Sequence, residues 1–204
     1  MSDLHNASLL ESIVTTTADD GSTHVSAMGP RVDWPIKRLL LRPFQTSTTF
    51  ANLARTHRGI MHVTDDVLIL ARAAIGRVPS DLPLEPGPSD YPARLADCVR
   101  WYAFEVESID DSQDRSEMVC RVTHQGCVRD FFGFNRARHA VIEAAILATR
   151  LHLTSMEAVM DRYGEFATIV EKTAGETERL AFAELQQYLN DRMGEEETRT
   201  MLDS

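Results

Sequence analysis

The sequence lacks the segments that would carry a chain into or through a membrane. No apolar run approaches the roughly 20 residues that a membrane span needs, and the first residues lack the basic start of a signal peptide. Cysteine is scarce, and the three thiols, Cys98, Cys120 and Cys127, are an odd number without metal-site spacing. Together these absences favour a protein of the reducing cytoplasm.

Several catalytic signatures are also missing. The seven histidines form no His-x-His or His-Glu-x-x-His grouping, which disfavours metal catalysis, and we expect no metal site. The Gly-x-Ser-x-Gly elbow of serine hydrolases, the P-loop and the Gly-x-Gly-x-x-Gly fingerprint of Rossmann dehydrogenases do not occur. His139 and Glu143 lie one helical turn apart and could form a base with its orienting group, or half of a metal site. A solvated helix pair is the preferred interpretation, because no third ligand is nearby in the sequence.

Charge is present but unevenly distributed over the 204 residues, whose formal net charge is −10. Net acidity argues against a nucleic-acid-binding protein, which needs a broad basic face. Residues 157–204 carry 12 acidic and five basic side chains, whereas residues 31–62 carry six basic side chains and one acidic. A basic segment inside an acidic protein is the first indication of an anion-binding site.

The hydrophobic pattern changes period along the chain. Alternating and β-branched residues predict six strands over 10–17, 24–29, 36–42, 59–64, 99–109 and 117–132. Short helices are predicted over 49–56 and 67–75, and the proline-rich stretch 79–92 is predicted to be irregular.

From Asn135 onward, apolar residues recur at helical spacing. The pattern predicts one helix starting at Asn135, a second starting at the capping box Thr154-x-x-Glu157, and a third running from Thr173-x-x-Glu176 to about residue 193. Strands therefore come first and helices last, which is typical of the α+β class. Antiparallel strands of this number favour a small barrel because closure removes exposed edges.

The strongest candidate site is the segment from Arg42 to Asn52. A predicted strand ends at Arg42, and four consecutive hydroxyl residues then precede a helix: Thr46, Ser47, Thr48 and Thr49. Free N–H groups and the helix dipole attract phosphate or carboxylate at such a position, and an arginine adds a charge-assisted hydrogen bond. Ordinary helix capping beside a surface arginine is the alternative.

Two further segments are weaker candidates. The strand His24–Gly29 carries small side chains that would let a flat ligand lie close to it, although small residues also simply let sheets pack. Asn135 and Arg136 start the long helix, where they could hold a second anionic or carbonyl group. The alternative is that Asn135 is only the N-cap residue.

These residues resemble a known family. The segments Glu11–Thr16, Asp20-Gly21, Met28-Gly29, Arg42-Pro-Phe-x-Thr-x-Thr-x-x-x-Asn-Leu53, Val63-Thr-Asp-Asp66 and Asn135-Arg-Ala137 are similar to a flavoprotein family of unknown function. That family lies within the FMN-binding split-barrel superfamily, beside pyridoxamine-phosphate oxidases and flavin reductases. The resemblance covers roughly residues 9–150.

The resemblance implies a six-stranded antiparallel Greek-key split barrel over 1–134, C-terminal helices over 135–194 and an acidic tail over 195–204. It also implies a homodimer with FMN near the subunit interface. In this reading the phosphate contacts Arg42, Thr46, Ser47, Thr48, Thr49 and Asn52. The ring lies against His24, Ala27, Met28 and Gly29, and further contacts come from Thr64, Asn135 and Arg136.

One position departs from the family pattern, because His62 stands where relatives are expected to carry Asn.

The resemblance predicts an FMN-dependent oxidoreductase of unknown substrate, with redox chemistry carried by the cofactor. No catalytic residue is assigned. A non-catalytic flavin carrier or sensor, and a cofactor-free interaction scaffold, remain as alternatives.

Overall fold

The structure is a computed structural model that describes residues 4–202, with side chains described for residues 4–194. The chain forms two compact units. One contains the residues up to 65 together with 79–131, and the other contains 66–78 together with the residues from 132 onward. The first unit holds the strands, and the second is helical.

The first unit is built on one antiparallel sheet of eight strands. In chain order they are β1 (Ser8–Leu9), β2 (Ser12–Thr17), β3 (Thr23–Met28), β4 (Arg31–Val32), β5 (Arg38–Leu41), β6 (Arg58–Val63), β9 (Arg100–Asp110) and β10 (Glu117–Cys127). Their order across the sheet is β1-β4-β5-β10-β9-β6-β2-β3. Helix α1 (Thr48–Thr56) connects β5 to β6 and packs on β2 and β3.

The expectation of six strands is wrong, since the sheet has eight. The extra strands arise because both arms of the first hairpin are interrupted: β1 and β2 are separated at Leu10-Glu11, and β3 and β4 at Gly29-Pro30. The Leu10 N–H donates to the Pro30 carbonyl at 3.0 Å across this break. Because β1 leads directly into β2 at the far end of the strand order, the sheet curls into a half-barrel.

The concave side of the sheet contains the core of this unit. Val14, Leu39, Met61, Phe104 and Met118 are each fully buried there. Every one of them lies on a different strand, so burial of this face joins five strands that are distant in sequence. Leu53 of α1 adds to the same cluster and covers one end of it.

The opposite face of β2 and β6 is covered by the proline-rich connection. It contains a two-stranded ribbon of β7 (Leu84–Glu85) and β8 (Arg94–Leu95). His62 holds this cover in place, because its Nδ1 lies 3.1 Å from the Ile13 carbonyl and its Nε2 accepts the Leu95 N–H at 3.1 Å. Burial lowers the pKa of His62 to about 4, so the ring is neutral.

The second unit contains four helices: α2 (Val67–Ala74), α3 (Arg136–Ala148), α4 (Met156–Thr173) and α5 (Glu176–Leu202). Alanines on α3 allow close packing, and the Tyr163 hydroxyl donates to the Ala144 carbonyl at 2.7 Å. Arg72 binds Glu184 through two hydrogen bonds of 2.8 and 2.5 Å, which ties α2 to α5. Among the residues that the structure describes, no helix is both long and apolar enough to cross a membrane.

Several element ends differ from the sequence predictions. The N-cap of α4 is Ser155, whose Oγ accepts the Ala158 N–H at 3.3 Å, and not the predicted Thr154. Thr173 is the last residue of α4 and not the predicted start of α5, which begins at Glu176. The strand predicted to reach residue 132 ends at Cys127, where Arg129 turns toward Asp65 and Asp97. The last helix, predicted to end near residue 193, continues to Leu202. Its acidic end therefore lies within a helix, and residues 203 and 204 are outside the described part of the chain.

Candidate functional site

A rigid turn connects β5 to α1. The Ser116 N–H donates to the Pro43 carbonyl at 3.1 Å, and the Gln45 N–H donates to the Asp114 carbonyl at 3.1 Å. The Gln45 side-chain amide adds a 2.6 Å hydrogen bond to the Asp111 carbonyl. Since these contacts all involve the β9–β10 connection, the turn that carries Arg42 toward the helix has a fixed position.

The N-terminus of α1 is open. Ser47 is the N-cap residue: its Oγ accepts the Phe50 N–H at 3.2 Å and donates to the Phe44 carbonyl at 2.7 Å. Within residues 4–194, the backbone N–H groups of Thr48 and Thr49 have no hydrogen-bond acceptor. These groups and the positive end of the helix dipole therefore remain available to an anion.

The four predicted hydroxyl residues divide into two groups. Thr46 and Thr48 have exposed side chains beside the open helix end, and Ser47 is partly exposed. Thr49 is buried and donates to Ser26 Oγ at 2.9 Å, while the buried Asn52 donates to Thr16 Oγ1 at 2.9 Å. Thr49 and Asn52 therefore bind the helix to β3 and β2.

Arg42 follows β5 directly and remains half exposed. Its Nε lies 3.2 Å from a carboxylate oxygen of Glu117, at the start of β10. His5 lies 3.6 Å from the other oxygen of the same carboxylate. Because an exposed ion pair of this kind contributes little, a phosphate at the helix end can compete with Glu117 for the guanidinium.

Strand β3 presents an open edge beside α1. All six of its residues are partly exposed, and within the described chain no strand pairs with its outer side. The register places His24, Ser26 and Met28 opposite Thr16, Val14 and Ser12 respectively, on the face toward α1. Ala27 faces the other side of the sheet.

The backbone of this edge alternates between paired and open groups. The Ala18 N–H donates to the Ser22 carbonyl at 2.8 Å, so these two residues form a hydrogen-bonded pair. Along the hairpin, every second residue of β3 then has its N–H and carbonyl paired with β2. The backbone groups of Val25 and Ala27 consequently point away from β2, toward the open edge. Gly29 follows the strand, and the Leu9 side chain packs over it.

The imidazole of His24 borders this edge on the α1 side. Partial burial lowers its pKa, so the side chain is more readily neutral than a solvated histidine. Its ring nitrogens make no hydrogen bond to residues 4–194.

Thr64 lies directly after β6 and is buried. The next residue, Asp65, accepts a 2.6 Å hydrogen bond from Arg129, which also binds Asp97 at 2.6 Å. The hydrogen bond to Asp65, followed by that to Asp97, raises the pKa of the Arg129 guanidinium. The contact with Arg129 fixes the chain directly after Thr64.

Asn135 and Arg136 belong to the helical unit. Asn135 is the N-cap of α3, accepting the Ala137 N–H at 2.8 Å and the Arg138 N–H at 3.3 Å. Its side-chain amide donates to the Thr173 carbonyl at 3.1 Å, at the end of α4. The alternative of a capping residue is thus realised, and Arg136 is exposed. A cofactor contact at either residue stays a prediction.

Sequence reasoning missed the partners that build the site. Ser26, Thr16 and Glu117 were not predicted as site residues, yet they position Thr49, Asn52 and Arg42. The available signal was the run of hydroxyl residues in β2 and β3 on positions that face the core. Among the side chains of residues 4–194, no three His, Cys, Asp or Glu residues form a cluster suited to a metal ion.

Comparison with protein families gives two adjoining matches. Residues 10–129 match the N-terminal domain of the protein of unknown function DUF447, and residues 135–187 match a second DUF447 region. The chain therefore belongs to the DUF447 family. No curated protein sequence matches it significantly.

Solved structures share the fold. An FMN-bound DUF447 protein from Methanosarcina mazei is 19% identical, with a TM-score of 0.77 over 90% of this chain and 96% of that one. A flavin reductase domain protein from Arthrobacter sp. FB24 is 17% identical, with a TM-score of 0.51 over 61% and 80%. The flavin reductase HpaC, solved with NADP+, is 14% identical, with a TM-score of 0.52 over 63% and 84%.

Proposed function

We propose that the protein is an FMN-binding flavoprotein. The observation that carries this proposal is the attachment of an open helix N-terminus, α1, directly to a strand with an open edge, β3. One ligand with a phosphate at one end and a flat polar ring at the other would use both. The fold shared with the FMN-bound Methanosarcina protein and with flavin reductases supports this choice.

The phosphate end would be held by the chain around Ser47. The free N–H groups of Thr48 and Thr49 supply two donors, and the exposed hydroxyls of Thr46 and Thr48 supply further ones. Arg42 would leave Glu117 and add a charge-assisted hydrogen bond. The side chains of Thr49 and Asn52 hold the helix against β3 and β2, so at Thr49 the backbone N–H is the group available to the phosphate.

The ring end would be held by β3. The outward backbone groups of Val25 and Ala27 alternate donor and acceptor, which suits the carbonyl and N–H groups along the polar edge of an isoalloxazine. His24 and Met28 would border the ring on the α1 side, and Gly29 would border it at the end of the strand.

We further propose that the protein is an oxidoreductase. Bound FMN supplies hydride and single-electron transfer, and the protein contributes binding, orientation and local electrostatics. Burial favours the neutral form of His24, which could then accept or donate a proton at its ring nitrogen. The substrate is unassigned. Thr64 and Arg136 remain predicted secondary contacts, whereas we expect Asn135 to contribute little because both of its polar atoms are used within the helical unit.

A homodimer is part of the same proposal. Two apolar side chains beside the site, Leu9 and Phe44, are each 50% exposed. Leu9 contacts Gly29, and the Phe44 carbonyl accepts from the N-cap Ser47. Covering these side chains with a second copy would remove apolar surface from water and would enclose the ligand.

The phosphate site can be tested by comparing FMN with riboflavin, which lacks the phosphate. Arg42→Ala combined with Thr46→Ala should weaken FMN binding by about 2–4 kcal/mol, because a charged hydrogen bond contributes about 1.5–3 kcal/mol. Riboflavin binding should change much less. Titration followed by flavin fluorescence measures both affinities.

A matched control uses an arginine and a threonine of the helical unit. Arg150→Ala with Thr154→Ala removes two exposed side chains and should leave both affinities unchanged. Equal losses for FMN and riboflavin in the Arg42 and Thr46 variant would contradict the assignment of the phosphate site.

The spectrum of the purified protein separates the remaining alternatives. A flavin absorption band, with FMN identified by mass after release, supports the flavoprotein. Absence of the band and of saturable FMN binding would favour the cofactor-free scaffold. Steady-state turnover of an acceptor with a nicotinamide donor would distinguish an enzyme from a carrier or sensor.

A further inference from the structure

A cleft of about 660 Å³ lies in the strand-bearing unit, on residues that the flavin proposal does not use. It is formed by the segment Ile36–Arg38, by Glu107 of β9 and by residues 121–125 of β10. We propose that this cleft binds a small organic anion, with a carboxylate or phosphate group attached to an apolar body. It would be a second ligand site, separate from α1.

The cleft concentrates positive charge in an acidic protein. Lys37, Arg38 and Arg121 line it together with a single carboxylate, Glu107. Arg38 lies 3.2 Å and Arg121 3.3 Å from that carboxylate, so Glu107 contacts both guanidinium groups. Arg121 also binds Glu105 at 2.9 Å.

Lys37 is the cation without compensation. Its side chain is exposed, and among the side chains of residues 4–194 no carboxylate lies within ion-pair distance of its ammonium. The basic segment 31–62 thus has two parts, since Arg42 faces the helix end and Lys37 faces the cleft. An anion bound in the cleft would neutralise the positive charge of Lys37, which Glu107 does not reach.

An irregularity in β10 shapes the cleft. In a regular strand, neighbouring side chains point to opposite faces, yet five consecutive residues, 121–125, line this space. The pairing register with β9 shifts between Val122 and His124, which leaves Thr123 as the extra residue of a bulge. Bulges re-aim side chains, and here the bulge directs additional polar groups into the cleft.

The same residues are held in place before any ligand arrives. Asp33 accepts the backbone N–H groups of Lys37 at 2.7 Å and of Arg38 at 2.9 Å, and the Lys37 carbonyl accepts the Val122 N–H at 2.8 Å. On the other wall, Thr123 lies 2.6 Å from the Tyr91 hydroxyl. Binding would therefore cost little rearrangement of the backbone.

The size and lining define the class of ligand. Pockets of about 300–1,000 Å³ hold drug-sized molecules, so a bare phosphate would leave most of this space filled with water. Ile36 and Val122 supply an apolar surface, and the imidazole of His124 offers a ring for stacking. A compact organic anion matches this combination better than a neutral or inorganic ligand.

The chain contains only two lysines, Lys37 and Lys172, which makes the test specific. Protein labelled with 15N-lysine and saturated with FMN should give two backbone amide signals. Titration with phenyl phosphate or benzoate should shift the Lys37 signal saturably and leave that of Lys172 unchanged. Comparing these two probes distinguishes a phosphate ligand from a carboxylate ligand. Benzyl alcohol should produce no shift, and inorganic phosphate should bind at least about tenfold more weakly.

Variants identify the cations responsible. Arg121→Gln should weaken the preferred probe about tenfold, whereas Arg150→Gln, in the helical unit, should not. Because Arg121 also has structural ion pairs, calorimetry on Lys37→Ala, with Lys172→Ala as its control, repeats the test at an exposed residue. Parallel shifts of both lysine signals, the absence of a saturable Lys37 shift with either probe, or equal losses in the controls would overturn the proposal.

Discussion

At the scale of single residues, two adjacent threonines in β2 have opposite roles. Thr15 and Thr16 are both fully buried, but on opposite faces of the sheet. Thr16 accepts the Asn52 amide, whereas Thr15 Oγ1 has no hydrogen-bond partner among the described residues. A buried polar group without a partner costs free energy that a methyl group of the same size would not.

Thr15→Val should therefore stabilise the protein by about 1 kcal/mol, and Thr16→Val should destabilise it by about 1–2 kcal/mol. The second change leaves the buried Asn52 amide without its acceptor. Denaturant unfolding of both variants measures the difference, with the m-value checking that the unfolding transition is otherwise unchanged. Identical effects of the two substitutions would mean that the hydroxyl environments are not those described.

The buried His62 predicts how stability depends on pH. Its pKa is about 4 in the folded protein and 6.5 when unperturbed, so below pH 6.5 the unfolded chain takes up a proton that the folded protein refuses. The free energy of unfolding should fall by up to about 3 kcal/mol between pH 6.5 and pH 4. Above pH 6.5 this residue adds no pH dependence.

Unfolding of the wild type and of His62→Gln at several pH values isolates this contribution. The variant should lose the corresponding slope, while the effect of His24, whose pKa is also lowered, stays in both proteins. His57, which is exposed, gives the matched control His57→Gln. An unchanged slope in His62→Gln would contradict a neutral buried imidazole.

At the scale of elements, Asn135 joins two helices through one side chain. Its oxygen caps α3 and its amide nitrogen donates to the last residue of α4. Asn135→Ala should cost about 2 kcal/mol, roughly half from the cap and half from the second hydrogen bond. Asn135→Ser keeps a capping oxygen and should cost about half as much.

Unfolding of the three proteins gives this order of stability, and flavin titration of the same folded samples tests the cofactor contact predicted from the sequence. Since both polar atoms of Asn135 are already used within the helical unit, we expect FMN affinity to stay nearly constant. A large loss of affinity in both variants would instead assign Asn135 to the ligand.

The sequence predicts an element correctly where local contacts define its ends, and fails where tertiary contacts define them. Helix α1 was predicted within one residue because Ser47 caps it locally, and α2 because Asp66 accepts two N–H groups of its first turn. The interruptions of the first hairpin were missed, since they depend on how Leu10 meets Pro30 across the curled sheet. The anion site was predicted from local spacing, whereas the pairing of Thr49 with Ser26 depends on the tertiary fold.

At the scale of the whole molecule, the net charge is −10, yet two local environments carry positive charge. One is the helix end beside Arg42, and the other is the cleft beside Lys37. Anions that approach an acidic protein are repelled at long range, so binding must come from short, directed contacts. Added salt should weaken both the long-range repulsion of anions and the short ionic contacts at the two sites. The anion affinity of each site should therefore depend only weakly on salt concentration.

The proposed homodimer makes the last prediction. Because Leu9 and Phe44 flank the candidate flavin site and are half exposed, Leu9→Glu and Phe44→Glu should each shift the protein toward monomer. Leu153, which is 70% exposed in the helical unit, provides the control Leu153→Glu, which should leave the assembly unchanged. Sedimentation over a range of protein concentrations measures the equilibrium.

If the ligand lies near the interface, FMN affinity should fall in the Leu9 and Phe44 variants in parallel with dissociation. A wild-type protein that remains monomeric at all concentrations while binding FMN normally would refute the dimer and leave the flavin site intact.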